Sequence, residues 1–277
     1  MSGAASDSEV IEGGIYDHPK YYDLVFGADC AAEANLIQRC AHSMGPPRDD
    51  DRPLRMFEPA CGTGRLLDFL HRRGHDVAGL DLNPHAVKFC NDRMRRRGAG
   101  DVAVVADMAK FDASDLISLS NDGGPFDIAF NTINSFRHLT DAASAAAHLR
   151  CVADVLRPGG LYLLGVHLTP TAARPSDGEA WSAARGKLSI ETNMWFVDRD
   201  ETNRIERFGI YFDVYTPSRS FRINDMLVLR SYTRPQMDQF LADSPFEPIA
   251  TFDFAYHFDS PIRVDDATED VVYVLRK

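Results

Sequence analysis

Five apolar runs in the first 170 residues each end in a polar residue, and helical patterns separate them. The runs cover 54–57, 77–80, 102–105, 126–130 and 161–166, and they end at Glu58, Asp81, Asp107, Asn131 and His167. Strands buried on both faces of a parallel sheet read as continuous apolar stretches rather than alternating ones. Between them, apolar side chains recur at helical spacing: Val87, Cys90 and Met94 in one segment, Ala145, Leu149, Val152 and Leu156 in another. Asn83-Pro84 supplies an N-cap and a first-turn proline. Gly98 closes that helix, and Arg157-Pro158-Gly159-Gly160 breaks the later one. The alternation predicts a doubly wound α/β sheet. In such sheets ligands sit outside the carboxyl ends of the strands, so the five polar residues mark the edge where chemistry is expected.

The sharpest local signal is Glu58-Pro59-Ala60-Cys61-Gly62-Thr63-Gly64. An apolar strand runs into an acid, then two glycines one residue apart, then a helical pattern. Glycine lacks Cβ, so the backbone can turn sharply and a ligand can come close. The helix that follows offers free N–H groups at its start. A pyrophosphate loop would read G-x-G-x-x-G, but Leu67 stands at the third glycine. A carboxylate at Glu58 suits a cationic ligand better than a pyrophosphate. A glycine-rich turn with no ligand is the alternative. Asp81 lies 19 residues beyond Gly62, close to the spacing at which an acid meets ribose hydroxyls in this architecture. A carboxylate can accept from both hydroxyls at once.

The stretch from Glu58 to Gly64 resembles the first motif of class I S-adenosylmethionine-dependent methyltransferases, acid-x-x-x-Gly-x-Gly. The resemblance continues, with motifs in the expected order, through Gly160. It implies a Rossmann-like, doubly wound, seven-stranded and mostly parallel α/β sheet. It implies S-adenosyl-L-methionine as cofactor and S-adenosyl-L-homocysteine as product. Glu58, Ala60, Gly62 and Gly64 would meet the amino-acid part of the cofactor, and Asp81 with Leu82 the ribose. Asp107-Met108 resembles the adenine-binding pair, the acid accepting from the exocyclic amine and the methionine covering the ring. A loop acid beside a core methionine is the plainer reading of that pair. Asn131 would lie near the methyl donor. The loop Asn134-Ser135-Phe136-Arg137-His138-Leu139 resembles that of sugar-amine and related small-molecule methyltransferases, where a histidine accepts a proton from the methylated nitrogen. His138 is then a candidate base and Phe136 a substrate contact. Neutral imidazole suits the task near neutral pH. His138 could equally cap the next helix or face water, and His167 is the rival base by its strand-end position. Residues 16–26 resemble the Tyr-Asp-Leu-x-Phe/Tyr segment that closes over cofactor and substrate in many such enzymes. Tyr22 would then touch the cofactor, and Tyr16 and Tyr21 the substrate. The alternative is a packed N-terminal helix.

Residues 31–44 read as an amphipathic helix through Ile37, Cys40 and Met44, with a charged link over 48–53. Beyond residue 168 the pattern changes. Residues 169–182 are polar with prolines and read as a mobile linker. Period-two alternation over 188–197, 208–214 and 221–232 then predicts about three antiparallel strands of ordinary length, with 198–203 as a turn. A helix over 235–241 and strands over 249–254 and 271–275 finish the chain. The expected division is an N-terminal helical cap at 1–50, a Rossmann-like domain at 51–168 and 233–277, and an inserted β meander at 169–232 acting as a lid or dimerisation subdomain.

Of the 277 residues, 44% are hydrophobic, enough for a sizeable core. The net charge of -11 speaks against a nucleic-acid partner, because proteins that grip phosphate backbones show basic surfaces. Five scattered cysteines without C-x-x-C spacing read as neither a disulfide framework nor a zinc site. No metal ligands cluster, no run reaches the length of a membrane helix, and residues 1–14 read as a loose terminus without a signal core. A cytoplasmic monomer or homodimer acting on a small molecule is expected. The function that follows is methyl transfer to a nitrogen or oxygen of a small molecule. The alternatives are an RNA or protein methyltransferase, or a cofactor-binding module without catalysis. The absence of a Pro-Pro motif after residue 131 speaks against the first alternative, and Leu67 against a nicotinamide dehydrogenase.

Overall fold

The computed structural model describes residues 9–27, 30–47, 52–119, 124–172 and 178–277. Parts of three expected segments lie outside them: 1–8 of the terminus, 48–51 of the charged link and 173–177 of the polar linker. In chain order the elements are β1 (Glu9–Val10), α1 (Pro19–Phe26), α2 (Cys30–Met44), β2 (Arg55–Pro59), α3 (Arg65–His71), β3 (Asp76–Asp81), α4 (Pro84–Arg95), β4 (Ala103–Val105), β5 (Phe126–Asn131), α5 (Ala142–Val155), β6 (Leu156–His167), β7 (Gly178–Arg185), β8 (Leu188–Asp200), β9 (Ile205–Tyr215), β10 (Ser220–Arg230), α6 (Arg234–Ala242), β11 (Glu247–Phe252) and β12 (Asp270–Arg276). They fall into two compact units: residues 9–27 with 178–229, and residues 30–172 with 230–277. The first helical segment therefore divides. Residues 9–27 group with the antiparallel strands, and α2 with the parallel sheet.

The larger unit is built on a seven-stranded sheet in the order β11-β12-β6-β5-β2-β3-β4. β2, β3, β4, β5 and β6 pair in parallel, and β12 runs antiparallel to both of its neighbours. Successive side chains of a strand point to opposite faces, and the core splits accordingly. Ile128, Phe130, Leu161, Leu163, Val272 and Val274 pack with α2, α3 and α4 on one face. Ala129, Tyr162, Leu164, Val271 and Tyr273 pack with α5 and α6 on the other. Both faces are covered, which is why these strands read as unbroken apolar runs. The helix starts follow the sequence signals. Asn83 caps α4 by accepting from the N–H groups of His85 and Ala86, and Asp141 caps α5 by accepting from Ser144. α6 begins with a capping box between Thr233 and Gln236.

One correction concerns β6, which starts at Leu156 rather than at 161. The Arg157-Pro158-Gly159-Gly160 run ends α5 as expected but bulges within the strand. The register with β5 moves from Phe126↔Leu156 to Ile128↔Leu161. The chain end holds the bulge: Gly159 donates to the Lys277 carbonyl and Lys277 to the Gly160 carbonyl.

The smaller unit is a five-stranded sheet in the order β1-β10-β9-β8-β7, with β1 parallel to β10 at one edge and antiparallel pairing from β7 to β9. Ile190, Ile210, Phe212, Val214, Phe221 and Ile223 pack with Ile15, Leu24 and Val25 of the N-terminal segment. Two expectations are corrected here. Gly178–Ser182 is strand rather than linker. β7 is an edge strand whose side chains, apart from half-buried Trp181 and Ala183, are exposed, so no hydrophobic alternation announces it. The three long strands run for 13, 11 and 11 residues, about twice the usual length, and the turn begins after Asp200 rather than at 198.

Candidate functional site

β2, β3 and β5 end side by side, so Glu58, Asp81 and Asn131 reach one edge of the parallel sheet. Glu58 is buried, and its Oε2 has no hydrogen-bond partner among the described residues. Burial pushes its carboxyl well above the ordinary range, against the pull of the nearby Arg65 guanidinium. Asn131 donates from Nδ2 to the Pro59 carbonyl at 3.0 Å, and its own Oδ1 is buried and without a partner among the described residues. Buried acceptors without donors are costly and rare. Two of them at adjoining strand ends suit a ligand that brings N–H donors, such as a protonated amine.

Asp81 ties the glycine loop to its own turn. It accepts from the Gly62 N–H at 2.8 Å and from the Asn83 N–H at 2.9 Å. Burial raises its carboxyl, and these two bonds oppose the rise. Each oxygen keeps a further lone pair for a hydroxyl donor. Leu82 is exposed beside it. No atom stands within 4 Å of where a Cβ on Gly62 would be, so the loop is open there. Ala60 holds φ +58° without being glycine, a strained conformation of the kind found where a loop is shaped for function. Gly64 serves packing instead: a Cβ there would lie 2.3 Å from Cys90 Sγ of α4. The missing third glycine has a structural counterpart. Leu67 fills the space against β3, and Gly79 on that strand provides the clearance, since a Cβ on it would lie 2.9 Å from Leu67 Cδ1.

Asp107 and Met108 follow β4 and are half-buried. Asp107 accepts from the Ala109 N–H at 2.9 Å. The loop is held from below by His148 on α5. Its Nδ1 bonds the Met108 carbonyl at 2.9 Å and its Nε2 bonds the Tyr162 hydroxyl at 2.7 Å. A carbonyl only accepts, so Nδ1 carries the proton and Nε2 accepts from Tyr162. Burial drives the imidazole down to about 4, so it stays neutral. His148 sits on the apolar stripe of α5 with Ala145, Leu149 and Val152, and a polar residue inside that stripe was the signal available in the sequence.

A second group missed in the sequence is a buried ionic network. Arg65, the first residue of α3, forms a two-pronged bond to Glu33 of α2 at 2.5 and 2.8 Å. Glu33 also accepts from the Thr132 hydroxyl at 2.5 Å, and the Thr132 carbonyl accepts from the Tyr256 hydroxyl at 3.2 Å. Glu33 lies four residues before Ile37 on the buried face of α2, a place where an acid needs a partner. The network fixes the turn that leaves β5 next to Asn131.

The two candidate bases differ in setting. His138 ends a 3-10 turn (Ser135–His138) and is exposed. Phe136 on the same turn is fully buried against Tyr232, His148 and Phe240. A buried ring with these neighbours packs in the core. His167 ends β6, half-buried, with its Nδ1 paired to the Asp270 carboxylate of β12. Tyr16, Tyr21 and Tyr22 belong to the smaller unit. Tyr22 lies between Tyr16 at 5.2 Å and Phe26 at 4.6 Å, and Tyr21 meets Phe221 edge-on at 5.6 Å. Among the described residues no group of metal-ligating side chains is gathered, and no helix is long and apolar enough to cross a membrane.

Residues 57–160 match the methyltransferase domain family. A dTDP-3-amino-3,4,6-trideoxy-α-D-glucopyranose N,N-dimethyltransferase of Streptomyces venezuelae is 25% identical over 213 residues, covering 74% of this chain and 79% of that protein. A phthiotriol/phenolphthiotriol dimycocerosates methyltransferase of Mycobacterium leprae is 31% identical over 129 residues, covering 44% of this chain and 39% of that protein. The fold is similar to that of the sugar N-methyltransferase KedS8 from Streptoalloteichus, with a TM-score of 0.68 at 20% identity over 100% of this chain and 99% of that one. It is also similar to S-adenosylmethionine-bound CalS10, an amino pentose methyltransferase from Micromonospora echinaspora, with a TM-score of 0.66 at 17% identity over 96% and 98% of the two chains. With the glycine loop, the strand-end acids and the unpartnered acceptors in one place, these likenesses identify residues 57–160 as a methyltransferase domain, in a chain whose fold is similar to that of S-adenosylmethionine-dependent methyltransferases.

Proposed function

We propose that this enzyme methylates the amine nitrogen of a small amino sugar. The observation that carries the reading is the likeness to the Streptomyces amino-sugar dimethyltransferase, which extends well beyond the methyltransferase domain to about four fifths of that protein. The full-length likeness in fold to proteins named as sugar and amino pentose methyltransferases supports it.

S-adenosylmethionine, when bound, supplies a methyl group already activated on a sulfonium. The chain's own task is to hold donor and acceptor in line and to keep water out. In this reading Glu58 Oε2 and Asn131 Oδ1 accept from the cofactor's α-amino group, Asp81 from the ribose hydroxyls and Asp107 from the adenine amine, with Met108 against the ring. The acceptor nitrogen needs a free lone pair, so a proton must leave the substrate on this side of the sheet.

The test is to incubate the purified chain with S-adenosylmethionine and dTDP-3-amino-3,4,6-trideoxy-α-D-glucopyranose. The expected products are S-adenosylhomocysteine and a sugar carrying one or two N-methyl groups, read by mass spectrometry and NMR. Methyl on a sugar oxygen, or no S-adenosylhomocysteine above the acceptor-free control, overturns the reading.

A further inference from the structure

The carboxyl end of β6 carries a histidine–carboxylate pair for which the cofactor has no use. His167 and Asp270 are direct partners across the antiparallel β6–β12 pair, and His167 Nδ1 contacts Asp270 Oδ1. Side chains directly opposite each other in such a pair are near enough to interact as a unit. The ring is fixed on one more side, and the backbone that carries it is pinned as well. Phe254 packs its ring edge-on to the imidazole at 5.0 Å. The backbone N–H of His167 donates to Asn134 Oδ1 at 3.0 Å, and Asn134 sits at φ +55°. Phe254 in turn stacks on Tyr256 at 5.8 Å, and Tyr256 reaches the Thr132 carbonyl. Asn134 and Tyr256 are left-handed without being glycines, and both lie at this edge together with Ala60. The side chains of His167 and Asp270 remain 34% and 45% exposed, so the imidazole is held yet open to a ligand. Asn131 faces Leu164 across the β5–β6 pair, which puts His167 three residues further toward the carboxyl edge.

We propose that His167, oriented by Asp270, accepts the proton of the substrate amine. The inference rests on the amine-methylation reading above. Asp270 holds the proton on Nδ1, which leaves the Nε2 lone pair facing outward. His167 Nε2 takes a proton from the bound ammonium, R–NH3+, freeing the nitrogen lone pair. That pair forms the C–N bond to the methyl group as the C–S bond breaks, giving R–NH2+–CH3 and a neutral thioether. The imidazolium then gives its proton to solvent. His167 is the catalytic residue of this step and Asp270 its positioning residue.

Three measurements test the pair. In 15N NMR of the ligand-free wild-type protein the His167 ring is expected as the Nδ1–H tautomer, and Asp270→Asn is expected to lose that signature. With the amino-sugar nucleotide, His167→Ala is expected to lower kcat roughly 10²-fold or more, with partial rescue by added imidazole and with unchanged S-adenosylhomocysteine affinity by calorimetry. Asp270→Asn is expected to lower kcat by about tenfold or more, the usual scale for an orienting partner, while Asp270→Glu retains most of it. A wild-type ring protonated on Nε2 overturns the assignment. So does full turnover by His167→Ala, or a loss confined to His138→Ala. A wild-type protein that methylates no amine overturns the functional reading itself, a result distinct from these.

Discussion

At the scale of single residues the site is a set of acceptors waiting for donors. Glu58 is the extreme case, a buried carboxyl with an oxygen that bonds nothing among the described residues. Its native-state value is raised, so the folded chain binds more protons than the unfolded chain, whose glutamates titrate near 4.3. Stability of the ligand-free protein therefore falls as pH rises from about 4 toward the native value. Glu58→Gln removes the charge and keeps the shape. It is expected to raise the Tm of the ligand-free protein at pH 8 and to flatten the decline from pH 5 to 8. The same change is expected to weaken S-adenosylhomocysteine binding about tenfold or more, since a hydrogen bond to a charged group is worth roughly 1.5–3 kcal/mol. Thermal melts and calorimetry read the two effects. A variant both less stable and equally tight in binding would contradict the assignment of Glu58.

At the scale of elements, α5 acts at a distance from its own residues. His148 joins it to the Asp107-Met108 loop on one side and to Tyr162 of β6 on the other. Its imidazole is lowered to about 4, against 6.5 in an unfolded chain. The unfolded state then binds the extra proton, so this contribution is complete above about pH 6.5 and is lost as pH falls toward 4. The linkage is worth roughly 3 kcal/mol at full span. In urea melts, His148→Leu is expected to be less stable than the native chain at pH 7.5 and to lose less of its stability between pH 6.5 and 4. Adenosine-containing ligands are expected to bind more weakly, because the Met108 carbonyl loses its donor. Binding equal to the native chain would show that α5 does not hold that loop.

At the scale of the whole molecule, the parallel sheet supplies an edge and the helices on both faces keep it dry. Binding at that edge is linked to folding. S-adenosylhomocysteine at one hundred times its Kd is expected to add about 2.7 kcal/mol to the stability of the larger unit, and NAD to add none. Amide exchange should slow at the carboxyl ends of β2, β3 and β5. Scanning calorimetry and mass-detected exchange measure both, and an equal shift with NAD would argue for a general dinucleotide pocket.

The parallel sheet was legible in the amino-acid sequence because strands buried on both faces leave continuous apolar runs, and each run could be followed to its polar end. Glu58, Asp81, Asp107, Asn131 and His167 were named from that pattern alone, and Gly62 from the turn it makes. The long antiparallel strands were legible where one face is buried. β7 was not, because an edge strand with little buried side chain carries no periodic signal. What only the tertiary structure decided is partnership. Gly79 makes room for Leu67 from the neighbouring strand. Glu33 meets Arg65 across 32 positions and Thr132 across 99. Asp270 meets His167 because β12 turns back along β6. Hydrophobic periodicity records which way a side chain faces, and it is silent about what stands opposite. The pairs that tune charge and hold tautomers are made by long-range packing, and they become visible only once the chain has closed on itself.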